Sequence, residues 1–200
     1  MHGLTLPLIG SLLLLASVAR AQSPVCGAEG VVGHIEAIQG EVRLDGKPIA
    51  ADALPLAICS GSTVSTGAAS RVQLYAEGAD TGFRLDENSA SRLHPPPEAE
   101  SGLVEMLKGS LFFLSQVRRS LTIRTPYVTA GIEGTEVLMR LAEGGDTALG
   151  LIVYDGQVRL TPPPGSAPLP AATVGTGQRL TVARDGTAVV DDLDPVEGYS

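Results

Sequence analysis

Tryptophan is absent from this 200-residue chain, and aromatic residues make up only 4% of it. Its core must therefore be built mostly from Val, Leu, Ile and Ala. The four Tyr and three Phe are too few and too scattered to form the aromatic rows on which sugars stack. Cations are scarce as well, with 14 Lys and Arg against 22 Asp and Glu. A chain of that sign repels phosphate backbones, which excludes nucleic acid as a partner. Histidine occurs three times, and only His34 and His94 lie beyond the amino-terminal apolar run. His34 alternates with Ile35 on an expected strand, and His94 borders a triple proline in an expected turn, so neither reads as a catalytic base. No elbow motif presents a serine as nucleophile. The expectation is a protein that is not an enzyme and carries no cofactor or metal.

Long apolar runs are also missing, apart from Leu4 to Val18. That run is too short for a comfortable membrane span, and it closes on Ala19-Arg20-Ala21, a small-x-small cleavage pattern. Residues 1–21 read as a signal peptide, with a membrane anchor as the alternative. Export to the periplasm or the extracellular space follows, with no transmembrane segment in the mature chain. Removal of residues 1–21 takes away Arg20 and no acid, leaving 13 cations against 22 anions and a net charge of −9. Cys26 and Cys59 are the only cysteines. An even count in an exported chain reads as a disulfide; two free buried thiols are the alternative.

Twenty-four Gly and fourteen Pro among short apolar runs favour strands and turns over helices. Candidate strands are Gly33 to Ile38, Glu41 to Leu44, Ala68 to Tyr75, Gly82 to Leu85, Leu138 to Ala142 and Ala148 to Tyr154. Asp45-Gly46, Asp155-Gly156 and Asp185-Gly186 each read as a hairpin turn. The expected fold is all-β, a single domain of short antiparallel or coiled strands, sandwich- or solenoid-like. Ala76-Glu77-Gly78-Ala79-Asp80-Thr81 and Ala142-Glu143-Gly144-Gly145-Asp146-Thr147 are nearly identical. They read either as one hairpin chemistry used twice or as an internal repeat. Leu103 to Ser115 favours strand despite its apolar length, because Gly109 and Phe112-Phe113 suit a helix poorly. Arg118-Arg119 reads as a solvated turn. Proline-rich connections are expected at 94–98 and 162–170.

The stretch from Arg124 to Leu141 organises the rest. Thr125-Pro126 opens it, and proline there biases Thr125 toward extended backbone. Gly131 and Gly134 then bracket Ile132-Glu133, and a glycine pair this close marks a bulge, a corner or the approach of another backbone. Glu133 and Glu136, at odd spacing on a strand, should face opposite ways and share no site.

Thr125-Pro126, the small-residue run and Gly134-Thr135-Glu136, followed by a strand and a closing Asp155-Gly156-Gln157-Val158 hairpin, together resemble the core of the FecR domain. Leu107-Lys108-Gly109-Ser110-Leu111 resembles its Leu-x-Gly-x-Leu strand. Gly61 to Gly67 resembles its Gly-Asp-x-hydrophobic-x-Thr-Gly element with Ser62 at the Asp position, and Gly177-Gln178-Arg179-Leu180 its closing strand. The resemblance spans roughly residues 31 to 183. Glu133 stands where many members carry Arg, and Val137 where an aromatic is common.

FecR-like domains are periplasmic modules. In the iron-citrate system, a protein bearing one senses a loaded outer-membrane receptor and passes the state inward to a sigma factor. That relay uses a cytoplasmic helical segment, a membrane helix and a receptor-docking domain, none of which is read here, so a stand-alone exported module is expected. The resemblance implies a protein-interaction or sensing role in envelope signalling, with an unknown envelope protein as partner. The alternative is a structural envelope protein that binds peptidoglycan or a surface polysaccharide. Thr125, Pro126, Gly131, Gly134, Thr135 and Glu136 form the family motif, expected to serve backbone architecture. Expected boundaries are 1–21 signal peptide, 22–30 amino-terminal segment, 31–190 β domain and 191–200 flexible acidic tail.

Overall fold

Strand after strand in this chain alternates a buried apolar residue with a half-exposed polar one, and the backbone obeys that period of two. The computed structural model describes residues 26, 27, 30–95, 103–163 and 172–194. The expected signal peptide, the second half of the first proline-rich connection and most of the second lie outside the described residues. About 67% of the described residues are strand and 3% helix, so the all-β reading holds. The strands are β1 (Val31–Gln39), β2 (Val42–Leu44), β3 (Lys47–Pro48), β4 (Leu56–Cys59), β5 (Thr63–Thr66), β6 (Arg71–Ala76) and β7 (Thr81–Leu85). Then follow β8 (Ala90–His94), β9 (Leu103–Arg124), β10 (Thr129–Leu141), β11 (Thr147–Thr161), β12 (Ala172–Gly175), β13 (Gln178–Ala183) and β14 (Ala188–Asp192).

Among the described residues every pairing is antiparallel, and the fourteen strands join in one sheet. Its main path runs β14-β13-β11-β10-β9-β7-β6-β1-β4, while β8, β5, β2 and β3 branch from β9 and β12 pairs with β11. The sheet curls around a barrel-like core. Ile35, Leu74, Phe83, Leu111, Phe113 and Leu151 are fully buried within a single apolar cluster. Each such side chain stabilises the fold by about 1.5–3 kcal/mol relative to exposure.

Three of the longest strands bend along one line. Pairing of β9 with β10 runs from Arg124↔Thr129 to Arg119↔Gly134, breaks, and resumes at Leu114↔Glu136. Pairing of β10 with β11 breaks at the same level, between Gly134↔Gly156 and Glu136↔Asp155. The extra residues bulge and turn the sheet, as bulges do. Arg118-Arg119 therefore lies within β9 and not in a turn. Asp155-Gly156 does not reverse the chain either, because β11 continues through it to Thr161. Asp45-Gly46 and Asp185-Gly186 do reverse it, joining β2 to β3 and β13 to β14. The two near-identical segments each join antiparallel neighbours, β6 to β7 through a short 3₁₀ turn and β10 to β11 through a bend. Strand β14 extends to Asp192, so the sheet includes the first two residues of the expected tail.

The Cys26–Cys59 disulfide is formed, with Cα atoms 5.1 Å apart. It fastens the amino-terminal segment to the end of β4, beside the Val31↔Cys59 pair. Loop-closure entropy for its 33-residue separation corresponds to about 3.8 kcal/mol of stabilisation, taken as an upper value.

Candidate binding cleft

The motif residues occupy two places along β10. At its start, Thr125 is buried and closes the turn from β9. Its Oγ1 donates to the Val128 carbonyl at 2.9 Å and accepts from the Tyr127 and Val128 amides at 3.1 and 2.9 Å. Pro126 sits in that turn, where its missing N–H leaves no ladder bond unmade.

At the bend, Gly134 faces Gly156 on β11. A Cβ on Gly134 would lie 2.8 Å from the Asp155 carbonyl oxygen and 2.9 Å from Gly156 Cα. A Cβ on Gly156 would meet Gly134 Cα and, at 2.8 Å, the Glu133 carbonyl oxygen. Gly156 also has φ +109°, whereas Gly134 does not have a positive φ. Gly134 is thus constrained by crowding and its partner by both crowding and backbone angle. Gly131 is under neither constraint, since its Cβ would be 3.8 Å from the nearest atom, the Arg159 carbonyl oxygen. The side chain of Thr135 lies outside the described residues.

The bulge also overturns the expectation for the two glutamates. Ile132 and Gly134 point inward, and beyond the bulge Val137 and Met139 do. One residue has been skipped, so Glu133 and Glu136 both fall on the outward face. Odd spacing separates faces only in an unbroken strand. His34 remains a strand residue, its Nδ1 3.3 Å from Glu77 Oε1. His94 ends β8 instead of forming a turn, with Nε2 3.3 Å from Glu105 Oε2. Among the described residues, no three His, Cys, Asp or Glu side chains gather as metal ligands.

One concavity lies on the outward face, and none of the motif residues lines it. It measures about 760 Å³, and Gln39, Arg71, Arg84, Asn88, Ser110 and Arg140 are among the residues lining it. Its frame is a hydrogen-bonded chain of small polar residues. Thr66 Oγ1 donates to the Asp86 carbonyl at 2.6 Å and accepts from the Ser89 amide at 2.9 Å, gripping both ends of the β7–β8 connection. Ser89 Oγ accepts from the Ser110 amide at 2.8 Å, and Ser110 Oγ accepts from Arg140 Nε at 3.1 Å. Gly109, at φ +81°, lies against Ser89, where a side chain would leave no room for this contact.

Charge in the cleft runs against the acidic whole. Arg84 Nε lies 2.9 Å and Arg71 Nε 3.7 Å from one oxygen of Asp86, so two guanidinium groups share a single carboxylate. Arg84 also lies over the Phe112 ring, 5.0 Å from its centroid. Glu87 also lines the cleft, where its carboxylate accepts from the Ala69 amide at 2.8 Å and pairs with none of the three arginines. Arg140 has no carboxylate partner among the described residues. Cross-strand register places Arg84 beside Phe112, Phe112 beside Leu138 and Leu138 beside Ile152. These apolar residues are half-buried on the outward face, and Leu114 next along β9 is 58% exposed. Sequence reasoning missed the cleft, because each arginine occupies an ordinary outward position on its own strand. Only the register among β6, β7, β9 and β10 brings them together.

No curated protein sequence matches the chain. Among solved structures, two crystal structures of a candidate anti-sigma factor from Parabacteroides distasonis ATCC 8503, at 1.65 and 2.50 Å, share the fold. Each matches with a TM-score of 0.52 and 16% sequence identity, over 66% of this chain and 60% of the other. The match thus takes in less than two thirds of that protein's length. The family model described as FecR protein matches residues 62–159, a span that includes the cleft's β7–β8 connection, the Thr125 turn and the Gly134–Gly156 bend. Residues 62–159 of this chain are thus similar to a FecR domain.

Proposed function

We propose that this protein works by binding and not by catalysis, as an exported FecR-domain module that holds a protein partner in envelope signalling. The observation that carries this reading is the FecR match over residues 62–159, which covers both the bend and most of the outward face. The fold shared with a candidate anti-sigma factor is in keeping with a regulatory role, at the level of architecture alone. Export fits the apolar run closed by Ala19-Arg20-Ala21 and the Cys26–Cys59 disulfide, since such bridges persist in oxidising compartments. In this reading Thr125, Gly134 and Gly156 serve the shape of the sheet, and the outward face serves recognition.

The test is in-cell cross-linking of the tagged full-length chain, followed by separation of the envelope fraction. A single envelope protein cross-linked in near-stoichiometric yield is the expected result. Recovery of the chain in the cytoplasm with Met1 intact, or of an envelope chain with no cross-linked species, defeats the reading.

A further inference from the structure

We infer that the outward cleft is a docking site for an acidic, partly apolar segment of a partner protein, with its carboxylates held by Arg84, Arg140 and Arg71. The inference rests on the protein-binding role proposed above and names the chemistry of the partner. Three guanidinium groups and two carboxylates, Asp86 and Glu87, line one concavity, and Asp86 pairs with two of the three guanidinium groups. The third, on Arg140, is fixed through Nε by Ser110, so its two terminal nitrogens are already oriented without a carboxylate to meet. An arginine held at Nε presents a planar fork at little further entropic cost, and carboxylates fit that fork in two parallel hydrogen bonds.

The surroundings decide what kind of carboxylate bearer fits. The chain has a net charge of −8, so an acidic partner is repelled over most of the surface and attracted at this place. Charge thereby sets the docking position as well as the approach rate. Beside the arginines lies the half-buried row of Phe112, Leu138 and Ile152, which an apolar side chain of the partner can cover. An acidic sugar would use the guanidinium groups but gain little from Leu138 and Ile152, and Arg84 already lies over the Phe112 ring on which it could stack. A protein segment alternating acidic and apolar residues uses both.

The test is a titration of the isotopically labelled protein, followed by amide resonances, with the peptide Glu-Leu-Glu-Leu-Glu blocked at both ends. Its glutamine counterpart and trigalacturonate serve as the comparison ligands. The acidic peptide should shift the amides of residues 109–112 and 138–141, and Arg140→Gln should weaken its binding about tenfold or more. The glutamine peptide should shift none of them. If Arg140→Gln lowers the melting temperature, Arg71→Gln supplies the same reading from a side chain that is 60% exposed. Unmoved cleft amides, an unchanged Kd in the arginine variant, or tighter binding of trigalacturonate would each overturn the inference. An in-cell partner that still cross-links to Arg140→Gln would leave the proposed function standing and remove this site from it. Absence of any cross-linked partner would do the reverse, since peptide binding remains measurable in either case.

Discussion

Asp45-Gly46 and Asp155-Gly156 are the same dipeptide in similar apolar company, and they do opposite things. At the first, Asp45 and Gly46 have φ of 50° and 76°, and β2 reverses into β3. Both central residues then fit the left-handed pair that a two-residue hairpin of matching twist requires. At the second, Asp155 pairs with Glu136, Gly156 pairs with Gly134, and β11 continues. The chain has the local chemistry to turn at Gly156 but a packed partner that keeps it extended. A positive φ is needed at both sites; what it is used for depends on the neighbouring strand.

Substitutions can break this contrast, and the largest effect is expected at Gly156. Gly156→Ala faces both the positive φ and the Gly134 backbone, and the two costs together come to about 2–5 kcal/mol. In a domain of this size the melting temperature should fall by on the order of 10 °C. Next comes Gly134→Ala, which meets crowding without an angular penalty and should cost about 1–3 kcal/mol. Calorimetry of the two variants and their double mutant should show strong non-additivity, since each glycine is the other's nearest obstacle. Gly46→Ala has open space around its Cβ and only the angular term, about 1 kcal/mol. Gly131→Ala should be the mildest, within about 1 kcal/mol of wild type and of either sign, because its φ is ordinary and its surroundings are loose. If Gly131→Ala destabilised as much as Gly134→Ala, the facing-glycine account would be wrong. At the low end also sits Asp185, whose carboxyl is held below the usual range by the amide and hydroxyl of Thr187. Its small contribution should be present at neutral pH and fade as pH falls through that lowered value, and Asp185→Asn should remove the fade from the acid limb of the melting curve.

Much of the fold was legible because alternation and turn residues are local signals. The strands around Asp45-Gly46, Gly144-Gly145 and Asp185-Gly186 follow from pattern alone, and so does the pairing of the only two cysteines. Gly131 and Gly134 marked an irregularity correctly, without indicating which of them was crowded. What escaped was set by register. The bulge moved Glu136 onto the face of Glu133, β9 ran straight through Arg118-Arg119, and Gly156 was held extended by a residue 22 positions away. The cleft escaped for the same reason. Arg71, Arg84 and Arg140 come from three strands, and a single outward arginine on a strand is an ordinary solvated charge.

The central claim is that the Gly-Thr-Glu motif shapes the sheet while recognition happens elsewhere. Its most direct test measures melting temperature and partner cross-linking side by side for Gly134→Ala and Glu136→Gln. The account predicts a lowered melting temperature for Gly134→Ala, and for Glu136→Gln both wild-type stability and undiminished partner capture. Loss of the partner in Glu136→Gln at unchanged melting temperature, or a Gly134→Ala variant as stable as wild type, would contradict it.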